Sequence, residues 1–201
     1  MINFNQTSFC SICRARLPQN KKICHKDAPY ILAAATNYNS AAIRNLICQY
    51  KYRRRQTLVN PLANIVNTFI DKSGLKSIIS TDTLIIPIPL HPKKQRERGF
   101  NQSLLLAQSL STTLKLPVEN ILERKKPTTP QAEINDFEKR KINVADCFAI
   151  NETARITNKI KNKDIVLIDD VYTSGSTLNE AAKMLKICGA KKIIALVIAK
   201  A

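Results

Sequence analysis

The spacing of apolar residues changes twice towards the end of the chain. Residues 165–168 are continuously apolar, which is typical of a strand buried on both faces of a parallel sheet. From Leu178 to Cys188 the apolar residues recur at helical spacing, and Gly189 supplies a left-handed stop. Residues 193–199 form a second continuous apolar run. The pattern predicts a strand, a helix and a closing strand, with two acids and a hydroxyl-rich turn, 169–177, before the helix.

Strand-like and helix-like patterns alternate over most of the chain. They predict helices from Ala41, Pro61 and Leu104, strands near 84–88, 121–124 and 147–150, and either a strand or an extended connector over 30–38. The alternation predicts an α/β fold, doubly wound with a mainly parallel sheet, whose ligand lies at the carboxyl ends of the strands. We assign residues 1–35 to a small cysteine-bearing appendage and residues 36–201 to the α/β domain.

The turn over residues 173–177 has the chemistry of an anion site. Free backbone N–H groups and the positive end of the helix dipole gather where a helix starts after a parallel strand. Asp169 and Asp170 would repel a phosphate but suit the hydroxyls of a polyol, or Mg²⁺. A ribose 5-phosphate could bind both parts, with its hydroxyls on the acids and its phosphate in the turn. The alternative interpretation is an ordinary strand-to-helix connection with an Asp-rich cap. A Walker-type loop is excluded because no Gly-Lys-Ser/Thr triplet follows.

A second ligand-binding segment is predicted after the strand near 84–88. Pro87 and Pro89 cannot donate to a sheet ladder, so the strand must end in a stiff loop. The loop leads into residues 93–102, where four cations surround Gly99. We expect a mobile basic loop that closes over pyrophosphate and neutralises a leaving group. His91 is better interpreted as a hydrogen-bonding loop residue than as a general acid.

The charge of the chain favours anionic partners. A formal net charge of +17 concentrates nucleic acid, phosphorylated ligands or anionic membrane surfaces near the protein, although a lysine-rich composition without function is the alternative. One basic run is interleaved with an aromatic residue, which suits phosphate contacts and base stacking on single strands, although such a run can equally be a solvated face. The predicted DNA-binding residues are Lys51, Tyr52, Arg53, Arg54, Arg55, Lys93, Lys94 and Arg124.

The amino-terminal cysteines have the layout of a zinc knuckle. A Cys-x-x-Cys turn is followed, after a basic loop, by a second turn, and a metal replaces the core that so short a segment cannot build. The predicted ligands are Cys10, Cys13, Cys24 and Asp27. His25 is the alternative fourth ligand, although adjacent residues should converge on one ion with difficulty. A degenerate knuckle without metal also stays open.

The sequence also predicts the compartment. Residues 1–9 are polar and lack the apolar core of a signal peptide, and no apolar run approaches the ~20 residues that span a bilayer. The six cysteines are not spread like a disulfide framework. We therefore expect a cytoplasmic protein.

Five motifs taken together resemble the ComF family of competence proteins. The motifs are Pro87-Ile88-Pro89-Leu90-His91, Arg96-x-Arg98-Gly99-Phe100-Asn101-Gln102, Arg124-x-x-x-Thr128-x-x-Gln131, Arg140-x-x-Asn143-Val144 and Asp169–Thr177. The last of them resembles the phosphoribosyl-pyrophosphate (PRPP) motif of type I phosphoribosyltransferases. The resemblance covers nearly the whole chain, and the Arg-Gly-Phe-Asn-Gln stretch is its most specific part. Asp27 departs from the family, which usually has cysteine as the fourth knuckle ligand.

The resemblance implies a type I phosphoribosyltransferase-like fold and PRPP binding with Mg²⁺. By the resemblance, the acids contact the ribose hydroxyls, the turn binds the 5-phosphate and the proline loop with two arginines serves pyrophosphate. The implied PRPP site comprises Asp169, Asp170, Val171, Tyr172, Thr173, Ser174, Gly175, Ser176, Thr177, Pro87, Ile88 and Pro89, and the catalytic candidates are Asp169, Asp170, Arg96 and Arg98.

The resemblance further implies a role in natural transformation, in which incoming single-stranded DNA moves into the cytoplasm. Helicase and recombination proteins at the inner membrane are the implied partners, so a peripheral association with that membrane is also implied. Because the sequence shows no acceptor site, three functions stay open. They are a PRPP-binding protein of DNA uptake, a small-molecule phosphoribosyltransferase of nucleotide metabolism, and an adaptor whose site is vestigial.

Overall fold

Seven strands and six helices can be described in the computed structural model, which describes residues 3–5, 7–17, 24–53, 55–126, 142–156 and 158–201. The strands are β1 (Phe9–Cys10), β2 (Ile31–Asn37), β3 (Thr83–Pro87), β4 (Leu122–Arg124), β5 (Phe148–Ile150), β6 (Asp164–Tyr172) and β7 (Ile193–Lys200). The helices are α1 (Ala41–Tyr52), α2 (Val59–Ser73), α3 (Pro92–Arg98), α4 (Gln102–Leu114), α5 (Glu152–Ile156) and α6 (Ser176–Ile187). Short 3-10 turns occupy Gln56–Leu58 and Leu75–Ile78.

The main sheet has the strand order β1-β2-β7-β6-β3. Strands β2, β7, β6 and β3 are parallel, and β1 is an antiparallel edge strand. Their carboxyl ends therefore meet at one edge of the sheet, where a doubly wound fold binds its ligand. The predicted α/β fold with a mainly parallel sheet is confirmed.

Strand β6 is buried on both faces, as its continuous apolar run predicts. Ile165 and Leu167 pack with α6 in one hydrophobic core. Val166 and Ile168 pack in a second core, to which α1, α2 and α4 contribute. Helices therefore cover both faces of the sheet, and the acid pair stands near the carboxyl end of a strand whose residues 165–168 are all buried.

Two predicted strands do not belong to this sheet. Strands β4 and β5 pair with each other, antiparallel, in a separate two-stranded sheet. Each has one fully buried residue, Leu122 or Phe148, and two partly exposed ones. A strand inside a parallel sheet needs apolar residues on both faces, which β4 lacks because Glu123 and Arg124 are charged, and β5 pairs with β4 instead of joining the main sheet.

The predicted mobile basic loop is also wrong, because its first part is helix α3. Pro92 occupies the first turn, where its fixed backbone angle suits a helix and its missing N–H costs nothing. The His91 side chain caps the helix by accepting the backbone N–H of Lys93 at 3.2 Å. Gly99, with φ of 82°, ends the helix rather than acting as a hinge. The hydrogen-bonding role predicted for His91 agrees with this cap.

The boundary predicted after residue 35 falls inside β2, which pairs with β7 from Ile31 to Asn37. Residues 31–35 are therefore part of the main sheet, and the cysteine-bearing segment precedes them.

Four residues named in the sequence analysis lie outside the described residues. They are Arg54 of the predicted DNA-binding set and Thr128, Gln131 and Arg140 of the sequence motifs. Within the described ranges, no helix combines the length and the hydropathy that crossing a bilayer requires.

Candidate functional site

A cavity of about 190 Å³ opens at the carboxyl ends of β3 and β6. The predicted residues that line it are Ile88, Lys51, Tyr52, Lys94, Arg98, Arg124 and all of Asp169–Thr177. Other predicted residues do not line it: Pro87 and Pro89 flank Ile88, while Arg53, Arg55, Lys93 and Arg96 are exposed elsewhere. The structure thus brings together the acid pair, the turn and part of the basic set.

The turn between β6 and α6 has the geometry of a helix start. Gly175 caps α6 with φ of 84°, a left-handed conformation that favours glycine. The hydroxyls of Ser174 and Ser176 lie 2.9 Å apart, and the backbone N–H of Ser176 donates to Ser174 Oγ. The first-turn N–H groups of a helix have no intrahelical acceptors, so this end of α6 can hold an anion.

The ring of Tyr172 packs against the turn at Gly175. Its ring is 2% exposed, and the guanidinium of Arg14 lies 5.8 Å from the ring centroid. A Cβ atom added at Gly175 would lie 2.8 Å from this ring. Because the ring is buried, it cannot swing away, so both the backbone angle and the available space require glycine at position 175.

The two acids have different hydrogen-bond partners. Asp169 accepts from Ser103 Oγ at 3.1 Å and from the backbone N–H of Asp170 at 2.9 Å. Asp170 is 8% exposed, and its Oδ1 lies 2.8 Å from Lys51 Nζ. Burial, and then the charge of Asp170, raise the pKa of Asp169 to about 7, while Lys51 acts in the opposite direction. Asp169 is therefore easier to protonate than an exposed aspartate.

Lys51 is a site residue that the sequence did not indicate. It was predicted to bind DNA, but its ammonium reaches into the cavity and pairs with Asp170. Burial acts to lower the pKa of Lys51, but the carboxylates of Asp170 and Asp169 outweigh it and raise the pKa. Lys51 is thus a charged partner of the acids. Ser103, Tyr38 and Gln102 also line the cavity without having been predicted.

Two arginines at the cavity stack on aromatic rings. Arg98 lies 5.2 Å from the ring centroid of Tyr52, a side chain that is 60% exposed. Arg124 lies 5.4 Å from the ring centroid of Phe148. Such contacts between a guanidinium and an aromatic face help to hold the side chain in place. Arg55, by contrast, donates to Gln49 on the exposed side of α1.

A second cluster lies near β1, where Cys10, Cys13, Cys24 and His25 place their ligand atoms within 4.8 Å of one another. His25 Nδ1 is 3.2 Å from Cys24 Sγ and 3.6 Å from Cys10 Sγ. Burial opposes ionisation of Cys10, but the backbone N–H groups of Cys13 and Ile12 lower its pKa to about 6. Adjacent Cys24 and His25 do converge, and Asp27 is not part of the cluster, which corrects the predicted ligand set.

We predict that Gly175→Ala destabilises the protein more than Gly99→Ala. Both glycines have φ above 80°, but a Cβ at Gly99 meets nothing within 4 Å. Backbone strain alone should cost about 1–2 kcal/mol at either position, and the overlap with Tyr172 should add about 1–3 kcal/mol at Gly175. Urea unfolding of both variants measures the difference. Equal losses of unfolding free energy would contradict the role given to Tyr172.

The comparisons with known proteins agree with this geometry. A family model described as "Phosphoribosyl transferase domain" matches residues 101–201. "Competence protein F" of Haemophilus influenzae is 32% identical over 149 residues, which are 74% of this chain and 63% of that protein. "DNA utilization protein YhgH" of Escherichia coli (strain K12) is 24% identical over 92% of this chain and 86% of its own.

A third relative is "Competence protein ComFC" of Bacillus subtilis (strain 168), which is 26% identical over 88% of this chain and 64% of its own. The chain thus spans less than two thirds of the length of two of these relatives, 63% and 64%. The matched family model covers β6, the turn and α6, where the acid pair stands. The chain therefore belongs to the phosphoribosyltransferase domain family, as a ComF-family, phosphoribosyltransferase-like protein.

Proposed function

We propose that the cavity binds PRPP, and that the protein does so in the uptake or use of single-stranded DNA. The observation that carries the proposal is the order of groups at the end of β6: two acids, then a helix start that can hold a phosphate. The names of the relatives add the competence and DNA-utilization setting.

The polar groups of the cavity match the parts of PRPP. The carboxylates of Asp169 and Asp170 would accept the ribose hydroxyls, and the turn 173–177 would bind the 5-phosphate. Arg98 and Lys94, which also line the cavity, would contact the pyrophosphate, whereas exposed Arg96 contributes charge from outside the cavity. Mg²⁺, bound with PRPP, would neutralise charge on the leaving pyrophosphate. Ile88, between two prolines, shapes the wall beside it.

Calorimetry with PRPP and Mg²⁺ tests the binding site. Asp169→Ala and Asp170→Ala are each expected to weaken PRPP binding by about tenfold or more, because each removes charge-assisted hydrogen bonds worth about 1.5–3 kcal/mol. Asp71→Ala, which removes an exposed acid on α2, is the matched control and should bind as the wild type does. Undiminished binding in both site variants would contradict the proposal. Release of pyrophosphate with a free base would instead favour a small-molecule transferase.

We further propose that single-stranded DNA follows the basic rim of the cavity. Tyr52 exposes a ring there, and Lys94, Arg98 and Arg124 supply cations. Arg53, Arg55 and Lys93 are exposed and extend this charge beyond the cavity. Stacking and phosphate contacts together are typical of single-strand binding without sequence preference.

The six unpaired cysteines support a reducing, cytoplasmic location.

DNA binding should depend steeply on salt. For Z phosphates neutralised, the logarithm of the affinity falls with the logarithm of salt with a slope of about −0.7Z on single strands. Fluorescence anisotropy with a labelled oligonucleotide measures this slope. A combined Lys94→Ala and Arg124→Ala variant should lower its magnitude by about 1 to 1.5, since two phosphate contacts are lost. A slope near zero in the wild type would exclude phosphate-dominated binding.

We propose that the cysteine cluster binds structural zinc through Cys10, Cys13, Cys24 and His25. Three thiolates and one imidazole form a typical structural zinc set. With bonds of about 2.3 Å, tetrahedral sulfur ligands lie about 3.8 Å apart, close to the 3.3 Å between Cys13 Sγ and Cys24 Sγ. The metal would supply the cohesion that the short segment before β2 lacks.

Metal analysis of the purified protein distinguishes the two candidate fourth ligands. The wild type and Asp27→Ala should each carry about one zinc per chain, because a full set of four donors remains. Cys13→Ser and His25→Ala should lose most of the metal. Loss of zinc in Asp27→Ala with retention in His25→Ala would reverse the assignment, and absence of metal in the wild type would exclude it.

A further inference from the structure

Lys51 and Ser103 bring one polar group each to the acid pair. Lys51 Nζ contacts Asp170, and Ser103 Oγ donates to Asp169. The residues that precede them are joined, because the buried hydroxyl of Tyr50 donates to the backbone oxygen of Gln102 at 2.9 Å. Helices α1 and α4 are thus held together next to the acids. This hydrogen bond fixes the backbone from which the Lys51 side chain extends, and Asp170 holds the ammonium.

The charge at this end of the cavity needs a counter-ion. Two adjacent carboxylates would repel a ligand with several phosphate charges, and in a partly buried site that repulsion is weakly screened. The Lys51 side chain is 19% exposed and that of Asp170 is 11% exposed, so solvent contacts both only slightly. Lys51 supplies one positive charge here in the structure without any ligand.

The ammonium keeps donors for a ligand. It carries three N–H groups, and Asp170 accepts one of them at 2.8 Å. Because Lys51 also lines the cavity, the remaining N–H groups are within the space that a bound ribose phosphate would occupy. A ligand oxygen could therefore be bound by a cation that already neutralises the neighbouring acid.

We propose that Lys51 is a ligand-binding residue of the site, and that its ammonium both neutralises Asp170 and donates to ribose-phosphate oxygens. This inference rests on the proposed function. It assigns to Lys51 a share of the charge neutralisation that a divalent cation otherwise provides, so PRPP should retain measurable affinity without Mg²⁺. It also separates Lys51 from the exposed Arg53 and Arg55, which the proposed function assigns to DNA.

Calorimetry with PRPP, with Mg²⁺ and with the divalent cation chelated, tests this role. Lys51→Met should weaken binding by about tenfold or more without Mg²⁺, and by a clearly smaller factor with it, since the metal restores positive charge. Lys51→Arg should retain most of the metal-free affinity, because it keeps a cation with several donors. Lys183→Met removes an exposed lysine of α6 outside the cavity and should leave both affinities unchanged.

The outcomes separate the inference from the proposed function. If the wild type binds PRPP and Lys51→Met binds it equally well or more tightly when Mg²⁺ is absent, Lys51 does not have this role. The proposed PRPP site is unaffected by that result. Absence of PRPP binding in the wild type overturns both. Should Lys51→Met fail to fold, as judged by circular dichroism, Lys51→Gln keeps an amide donor for Asp170 but no charge, and it should show the same stronger dependence on Mg²⁺.

Discussion

The burial of β6 on both faces is the constraint on which the site depends. Because β6 lies between β3 and β7 and packs against helices on either side, its carboxyl end is fixed within the sheet. Asp169 and Asp170 extend from that fixed end, and α6 starts a few residues later with its N–H groups at the cavity. A rigid strand followed by a short turn is what holds acids and anion site at a constant separation.

Electrostatics then decides what the site can hold. Burial raises the pKa of Asp169, and Asp170 forms an ion pair with Lys51. The cations that line the cavity and the helix start both favour phosphate, whereas the acids favour hydroxyls. A ligand that has a diol between two phosphorylated ends can place its hydroxyls on the acids and its phosphates on the helix start and the cations. The overall charge of +17 favours the same class of ligand and, over longer distances, nucleic acid.

The local structure of the candidate site could be predicted from the sequence because residues 165–177 contain the strand, the acids, the turn and the helix start in one stretch. Contacts between distant segments could not be read in this way. Lys51 looked like the first residue of a surface run, and only the packing of α1 beside α4 directs it to Asp170. His25 was only the alternative fourth ligand, because adjacent residues were expected to converge on one ion with difficulty, whereas the structure brings Cys24 and His25 into one cluster. The cap signals of α3, Pro92 and Gly99, were present in the sequence but were outweighed by its cationic composition.

A crystal structure with ribose 5-phosphate tests the central claim most directly, because this ligand has the diol and the phosphate but no pyrophosphate. The account predicts the phosphate within hydrogen-bond distance of the backbone N–H groups of 173–177, the ribose hydroxyls on Asp169 and Asp170, and Lys51 Nζ still beside Asp170. A phosphate bound to Arg98 or Arg124 instead of the turn, with no ribose hydroxyl on Asp169 or Asp170, would contradict this expectation.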